Sequence, residues 1–293
     1  FSYAVTMQPH EGCEAKSKAG YAFRLSKPRI VIPVFPGSGS ENDVRRAFEA
    51  GGGNCTLVNV RNLNGHLIAR SFRELAAAIK TAQIVFIPGG FSGGDEPDGP
   101  AKFISAVLTN AYVREAIEEL LSCRDGLLAG IGNGFQGLIN TGLLPFGEYR
   151  EKTEESPTLT KNDVGEHVSR MINTRIISTK SPWMSRFKVG NVYTMPVSHS
   201  YGKFYCTDSE LLSYIRNGQI AAQYTDKYGN SGMDIEINPN GSIGGIEALT
   251  SPDGKILGKM AHSERMFGEN LYKNMPKSEN QNIFKAGIDY FKG

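Results

Sequence analysis

The sequence predicts an α/β fold: a doubly wound, mainly parallel sheet with antiparallel additions in the C-terminal half. Three observations carry this. Short, nearly all-apolar runs recur through the first half, as expected of strands buried on both faces. Each is followed by a turn and a stretch of helical periodicity, which is the alternation of a parallel sheet with crossover helices. Beyond residue 150 the strand-like runs crowd together with little room for helices between them.

The first strand is Arg29-Ile30-Val31-Ile32-Pro33-Val34-Phe35, ending in Pro36-Gly37-Ser38-Gly39. Ser40-Glu41-Asn42-Asp43 then opens a helix with Val44, Ala47 and Phe48 on one face, and its acidic first turn suits the helix dipole. Cys55–Val60 reads as the second strand and about 72–82 as a helix. Gln83–Pro88 is the third strand, Asn110–Cys123 a helix, Gly126–Ile131 the fourth strand, and about Gly134 to Thr141 a helix. Residues 150–165 are polar and expected to be irregular. Strands are then expected at Arg175–Ser178, Asn191–Pro196, Gln219–Tyr224, Ile243–Leu249 and Lys255–Met260. The turn Ser251-Pro252-Asp253-Gly254 joins the last two. These strands should extend the first sheet and not form a second domain. Residues 1–27, polar and rich in Gly and Lys, read as a linker or the edge of a preceding domain, and 28–293 as one domain.

Composition is ordinary for a globular protein: 293 residues, 40% hydrophobic, 21% charged, net charge +2. Acids and bases are mixed, so neither nucleic acid nor an anionic membrane is implied as a partner. No apolar run approaches the ~20 residues of a membrane span. The opening residues lack the features of a secretion signal. Cys13, Cys55, Cys123 and Cys206 are far apart, without CxxC spacing, which argues against a zinc site or a disulfide framework. A reducing, cytoplasmic setting is expected.

Three loops carry candidate chemistry. In Gly130-Ile131-Gly132-Asn133-Gly134-Phe135-Gln136-Gly137, residues 132–137 match GxGxxG. A dinucleotide site would also need an acidic residue ending the next strand, and Leu143-Leu144-Pro145-Phe146 gives a proline and no strand. The segment fits a nucleophile elbow better, with small residues permitting the turn and the following N–H able to bind an oxyanion. The tip is then Gly132, which has no side chain with which to attack. The loop Pro88-Gly89-Gly90-Phe91-Ser92-Gly93-Gly94-Asp95-Glu96-Pro97 can turn backbone N–H groups into a pocket at a strand end. After the last strand, Ala261-His262-Ser263-Glu264-Arg265 places Glu264 two residues from His262. In extended chain the two would share a face, and the carboxylate would fix the tautomer of the ring. Each loop also has a plain reading: a tight turn, a surface loop, a solvated pair.

In this order the three loops resemble triad-type (class I) glutamine amidotransferases. The segments 89–99, Ser156-Pro157-Thr158-Leu159-Thr160, His167-Val168-Ser169-Arg170, Ser181-Pro182-Trp183 and Asn238-Pro239-Asn240-Gly241-Ser242 are similar to glutaminase domains of phosphoribosylformylglycinamidine synthases, in the long single-chain bacterial form. The resemblance covers about residues 28–268. It implies a flavodoxin-like sheet and a triad of the residue at 132, His262 and Glu264. It also implies oxyanion and glutamine contacts from Gly89, Gly90, Phe91, Asn133, Gln136 and His199, and no metal or cofactor in this domain. Glutamine would be the substrate, and a synthetase domain using ATP and magnesium the partner that consumes the ammonia in purine synthesis.

The sequence departs from the family at three places. Gly132 stands where the nucleophilic cysteine is expected. Ser200-Tyr201 replaces Gly-Glu in the loop around His199, and the loop at 36–41 lacks the usual Asn-Cys. The chain is therefore expected not to turn glutamine over. Three readings of Gly132 stay open: an inactive variant, a modified cysteine written under another letter, or a docking module that regulates its synthetase.

Overall fold

A computed structural model describes residue 7 and residues 25–91, 99–266 and 280–292. Within them, strands β1 (Arg29–Val34), β2 (Asn54–Asn59), β3 (Ile84–Ile87) and β4 (Leu127–Ile131) alternate with helices α1 (Glu41–Ala50), α2 (Gly65–Ile79), α3 (Lys102–Leu108) and α4 (Ala111–Ser122). Helix α5 (Asn133–Asn140) and the single turn α6 (Leu143–Phe146) follow β4. The second half contains β5 (Thr158–Lys161), β6 (Val168–Ile176), β7 (Val192–His199), β8 (Tyr201–Tyr205), α7 (Asp208–Arg216), β9 (Ile220–Thr225), β10 (Ile246–Thr250), β11 (Ile256–Lys259) and α8 (Ile283–Lys292).

Nine strands form one sheet in the order β2-β1-β3-β4-β11-β10-β9-β6-β7, and β5 pairs with β8 in a separate ribbon. The block from β2 to β11 is parallel. The strands from β10 to β7 run antiparallel to their neighbours. β10 and β11 form the hairpin predicted at 251–254, and β11 enters the sheet parallel to β4. The loop after β11 is thereby brought beside the loop after β4, because ligands and loops on such sheets gather at the carboxyl ends of parallel strands.

Each face of the sheet is buried. Val31, Val85, Ile87 and Leu128 face α2, α4 and α5, while Ile30, Ile32, Ile84 and Phe86 face α1 and α8. On the second face Phe48, Phe86 and Phe284 stack with centroids 5.0–5.3 Å apart. Burying each such ring contributes about 1.5–3 kcal/mol. Trp183 covers Phe86, and its indole N–H donates to the Lys255 carbonyl at 3.0 Å.

The structure corrects several boundaries. The stretch 150–165 is not wholly irregular, since Thr158–Lys161 pairs with Tyr201–Tyr205 as a ribbon. The strand expected at Arg175–Ser178 starts at Val168 and ends at Ile176. Helix α2 begins at Gly65, well before residue 72, because the Asn64 side chain caps it by accepting the Leu67 N–H. Helices α3, α7 and α8 and strand β8 were not anticipated. Of residues 1–27, only Met7 and 25–27 lie within the described residues, and Met7 is buried. Residues 92–98 of the Gly-rich loop lie outside them.

Candidate active site

β4 ends at Ile131 and α5 starts at Asn133, so the chain reverses around one residue, Gly132, with φ +54° and ψ −113°. Such a backbone is strained for any residue with a Cβ. The three glycines of this turn are not equivalent. A Cβ on Gly130 would lie 2.6 Å from the Gly134 carbonyl carbon, and one on Gly134 would lie 2.3 Å from the Ile87 carbonyl oxygen. Those two are glycine because α5 presses on the strands. A Cβ on Gly132 meets no backbone closer than 3.8 Å. It would instead point at the imidazole of His262, 3.4 Å from Cε1 and 3.6 Å from Nε2. The tip of the elbow is open, and the opening faces a histidine.

His262 follows β11 and is almost fully buried, and its N–H donates to the Pro196 carbonyl at 2.9 Å. Its Nδ1 lies 2.6 Å from Oε1 of Glu264, which has no exposed surface. Burial alone would raise the Glu264 carboxyl. The charge of His262 and its hydrogen bond outweigh burial and hold the carboxyl below the usual carboxylate range. An ionised carboxylate only accepts, so Nδ1 carries the proton toward Glu264 and Nε2 faces position 132. The pairing expected from His-x-Glu is present, but the chain is not extended there. Residues Ser263–Met266 form a 3-10 turn that brings the carboxylate under the ring.

Backbone donors lie opposite. Gly90 has φ +150°, and a Cβ on it would sit 2.3 Å from the Gly37 carbonyl oxygen, so only glycine allows the two loops to meet. Its N–H makes no hydrogen bond among the described residues. The Gly89 N–H donates to Ser40 Oγ at 2.9 Å and the Phe91 N–H to the Gly37 carbonyl at 2.9 Å, so neither is available to a ligand. Gly89 acts through its missing side chain, since a Cβ there would lie 2.8 Å from Cε1 of His262. Phe91 offers its half-exposed ring, stacked near His167 with centroids 5.9 Å apart. Asn133 opens α5 and lines the same pocket as Gly90.

One pocket gathers Gly90, Gly132, Asn133, Gln136, His199 and His262, residues spread over more than 170 positions. Asn133 Nδ2 donates to Gln136 Oε1 at 2.8 Å, and Gln136 Nε2 donates to the Tyr201 carbonyl at 2.5 Å. His199 is buried, and desolvation with the nearby charges of His262 and His167 pushes its pKa down to about 3. It is neutral, with Nδ1 donating to Asn162 Oδ1 at 3.2 Å, because that amide's nitrogen donates to the His199 carbonyl. Its buried Nε2 has no partner among the described residues.

Ser198 and Ser200 flank His199 on the wall, and Arg265 lies beside His262. None of these three was singled out as a site residue from the sequence. The two-residue spacing of Ser198 and Ser200 across the end of β7 is the signal that could have placed them together, and adjacency to Glu264 marks Arg265. Asn162, which orients His199, sits in the stretch expected to be irregular, and nothing local announces it. Among the described residues no cluster of His, Cys, Asp and Glu is arranged to hold a metal, and no helix is long and apolar enough to cross a membrane.

Residues 27–291 match the family described as CobB/CobQ-like glutamine amidotransferase domain. A phosphoribosylformylglycinamidine synthase subunit PurQ from Salinibacter ruber is 30% identical over 237 residues, covering 81% of this chain and 87% of that one. The PurQ subunit of Methanococcus maripaludis is 27% identical over 286 residues, covering 90% and 98%. Among solved structures, PurLQS from Thermotoga maritima superposes with a TM-score of 0.64 at 22% identity, covering 90% of this chain and 99% of that one, which shows the shared fold. With an elbow, a His–Glu pair and a Gly-Gly loop converging on one pocket, the chain belongs to the CobB/CobQ-like glutamine amidotransferases, in the branch of the phosphoribosylformylglycinamidine synthase PurQ subunits.

Proposed function

We propose that this chain is the glutamine-binding component of a phosphoribosylformylglycinamidine synthase, built to deliver ammonia to a synthetase partner but lacking its own nucleophile. The observation that carries this reading is the open Cβ position of Gly132, 3.6 Å from His262 Nε2. A thiol placed there would be within reach of a general base whose tautomer Glu264 fixes.

With cysteine at 132 the reaction runs as follows. His262 Nε2 takes the thiol proton, and the sulfur attacks the carboxamide carbon of glutamine. The N–H groups of Gly90 and Asn133 hold the oxyanion. The protonated imidazole gives its proton to the departing ammonia, and water cleaves the thioester to glutamate. With glycine at 132 no covalent route exists, and the pocket binds glutamine without turning it over. ATP and magnesium belong to the synthetase partner in this scheme, and this chain is assigned no site for them.

Isothermal titration of glutamine tests the binding, and ammonia release by the Gly132 and Gly132→Cys chains, each with the synthetase and its nucleotide, tests the chemistry. Binding by both and turnover only by Gly132→Cys are expected. Robust turnover by a chain shown by intact mass to carry Gly132 would refute the mechanism. A second reading, a docking module that no longer processes glutamine, is favoured by the altered loop, where the Tyr201 carbonyl holds Gln136. It predicts no glutamine binding and no gain from Gly132→Cys.

A further inference from the structure

Behind the pocket lies a buried charge pair that the reaction does not use. Lys259 ends β11 and is 1% exposed, and Glu247 on β10 is 0% exposed. The ammonium lies 3.7 Å from Glu247 Oε1. It donates to Ser263 Oγ at 2.8 Å and to Gln281 Oε1, with Met195 Sδ at 3.6 Å. Burial pulls the Lys259 ammonium below its usual range, opposed by the charges of Glu247 and Glu264. Glu247 Oε1 accepts the Ala261 N–H at 2.9 Å, and Oε2 accepts from Thr174 Oγ1 at 3.3 Å.

The two ends of this pair bracket one residue. Glu247 holds the backbone at Ala261, Lys259 holds the side chain of Ser263, and His262 lies between them. The 3-10 turn that brings Glu264 beneath the His262 ring starts at Ser263. Stability does not explain the arrangement. Removing two charges from water costs several kcal/mol each, and well-packed apolar residues of similar volume usually serve as well or better.

We infer that Glu247 and Lys259 form a clamp that positions His262 against Glu264, making both positioning residues for the acid–base pair. The charged and titratable groups that act on the clamp are Glu264 on the turn and Tyr224 on β9. The geometric bracket alone distinguishes Ser263 as the link between the ammonium and the turn. The clamp rests on reading His262 and Glu264 as the acid–base pair. Its primary test needs no turnover.

The test is solvent exchange of the Nδ1 proton shared by His262 and Glu264, measured by NMR in the Gly132 chain. Two variants are compared with it: the volume-matched double Glu247→Gln/Lys259→Met, and Ser263→Ala, which leaves the ion pair in place. The double should keep or raise the melting temperature, while the shared proton exchanges about tenfold faster as the turn opens locally. Ser263→Ala should accelerate exchange in the same sense. In the Gly132→Cys background both should lower kcat with KM unchanged, since the contacts to glutamine are untouched. Folded variants with unchanged exchange would overturn the clamp. Should the double fail to fold, Ser263→Ala decides by the same readout. An inactive Gly132→Cys chain would count against the proposed function and leave the exchange result standing.

Discussion

Restoring a cysteine at position 132 should produce a functioning glutaminase at a modest cost in stability, and the structure sets both magnitudes. The added Cβ meets nothing closer than 3.4 Å, an ordinary contact, so no overpacking term arises. What remains is the backbone at φ +54°, ψ −113°, which costs a residue with a Cβ about 1–3 kcal/mol. At roughly 2–4 °C per kcal/mol for chains of this order of size, Gly132→Cys should lower the melting temperature by about 2–12 °C. Against that, the thiol gains a base within reach. Removing the nucleophile from hydrolases that use one costs on the order of 10⁶ in kcat, so a gain of at least about 10³-fold is expected even with imperfect alignment. The assay is ammonia release from glutamine with the synthetase present, beside a thermal melt of both chains. Gly134→Ala is the steric control, because its Cβ would lie 2.3 Å from the Ile87 carbonyl oxygen and should disrupt folding. A Gly132→Cys chain that folds, melts within this window and binds glutamine but releases no ammonia would refute the elbow assignment.

Other expectations follow from the same geometry. Gly89→Ala in the Gly132→Cys background should reduce kcat by about tenfold or more and destabilise by about 1–3 kcal/mol, because its Cβ would overlap Cε1 of His262 at 2.8 Å; steady-state kinetics and a denaturant melt report both. His199 is held neutral with a folded pKa of about 3 against an ordinary 6.5. Above pH 6.5 it is neutral in both states. Below that the unfolded chain takes up a proton that the folded chain refuses, so stability falls, by on the order of 4 kcal/mol by pH 3. His199→Gln should flatten the melting temperature against pH in that window. Glu264, whose folded carboxyl is held below its ordinary 4.5, adds stability above pH 4.5 that is lost as the pH falls through its folded value. Glu264→Gln should remove that part of the acid limb.

The parallel half of the fold was legible because its strands are apolar on both faces, so Ile30–Val34 and Leu127–Ile131 announce themselves without partners. The helices that escaped notice carry quieter signals. Helix α7 opens with a capping box, Thr207 with Glu210, that is readable in the sequence. Helix α8 sets Lys285 and Asp289 between apolar residues, a spacing that a short strand shares. Ribbon β5-β8 is set by pairing over a long separation, which no local window records. For the site, His262 and Glu264 were legible as a pair, but not the turn that joins them. Which N–H groups of the Gly-Gly-Phe loop are already hydrogen-bonded was not legible, because Ser40 and the Gly37 carbonyl occupy those of Gly89 and Phe91 from another loop. The clamp of Glu247 and Lys259 was invisible, since a Lys in an apolar strand reads as an edge or a surface position until its strand is placed in the middle of a nine-stranded sheet.

The features of the pocket divide by the step they serve. In the proposed reaction Gly90 and Asn133 would polarise an amide, Gln136 and His199 would frame it, and His262 with Glu264 would move a proton. All of these persist, with Glu264, His199 and the clamp kept as buried polar groups that the fold must offset elsewhere. The one absent function is bond formation, and it is confined to a position where glycine relieves strain. Binding and turnover are therefore separable at residue 132. The amidotransferase and docking-module readings thus part at one observable, whether glutamine binds to the Gly132 chain. The His199 acceptor and the Gly90 donor, both without a partner among the described residues, are the groups that would gain one when it does.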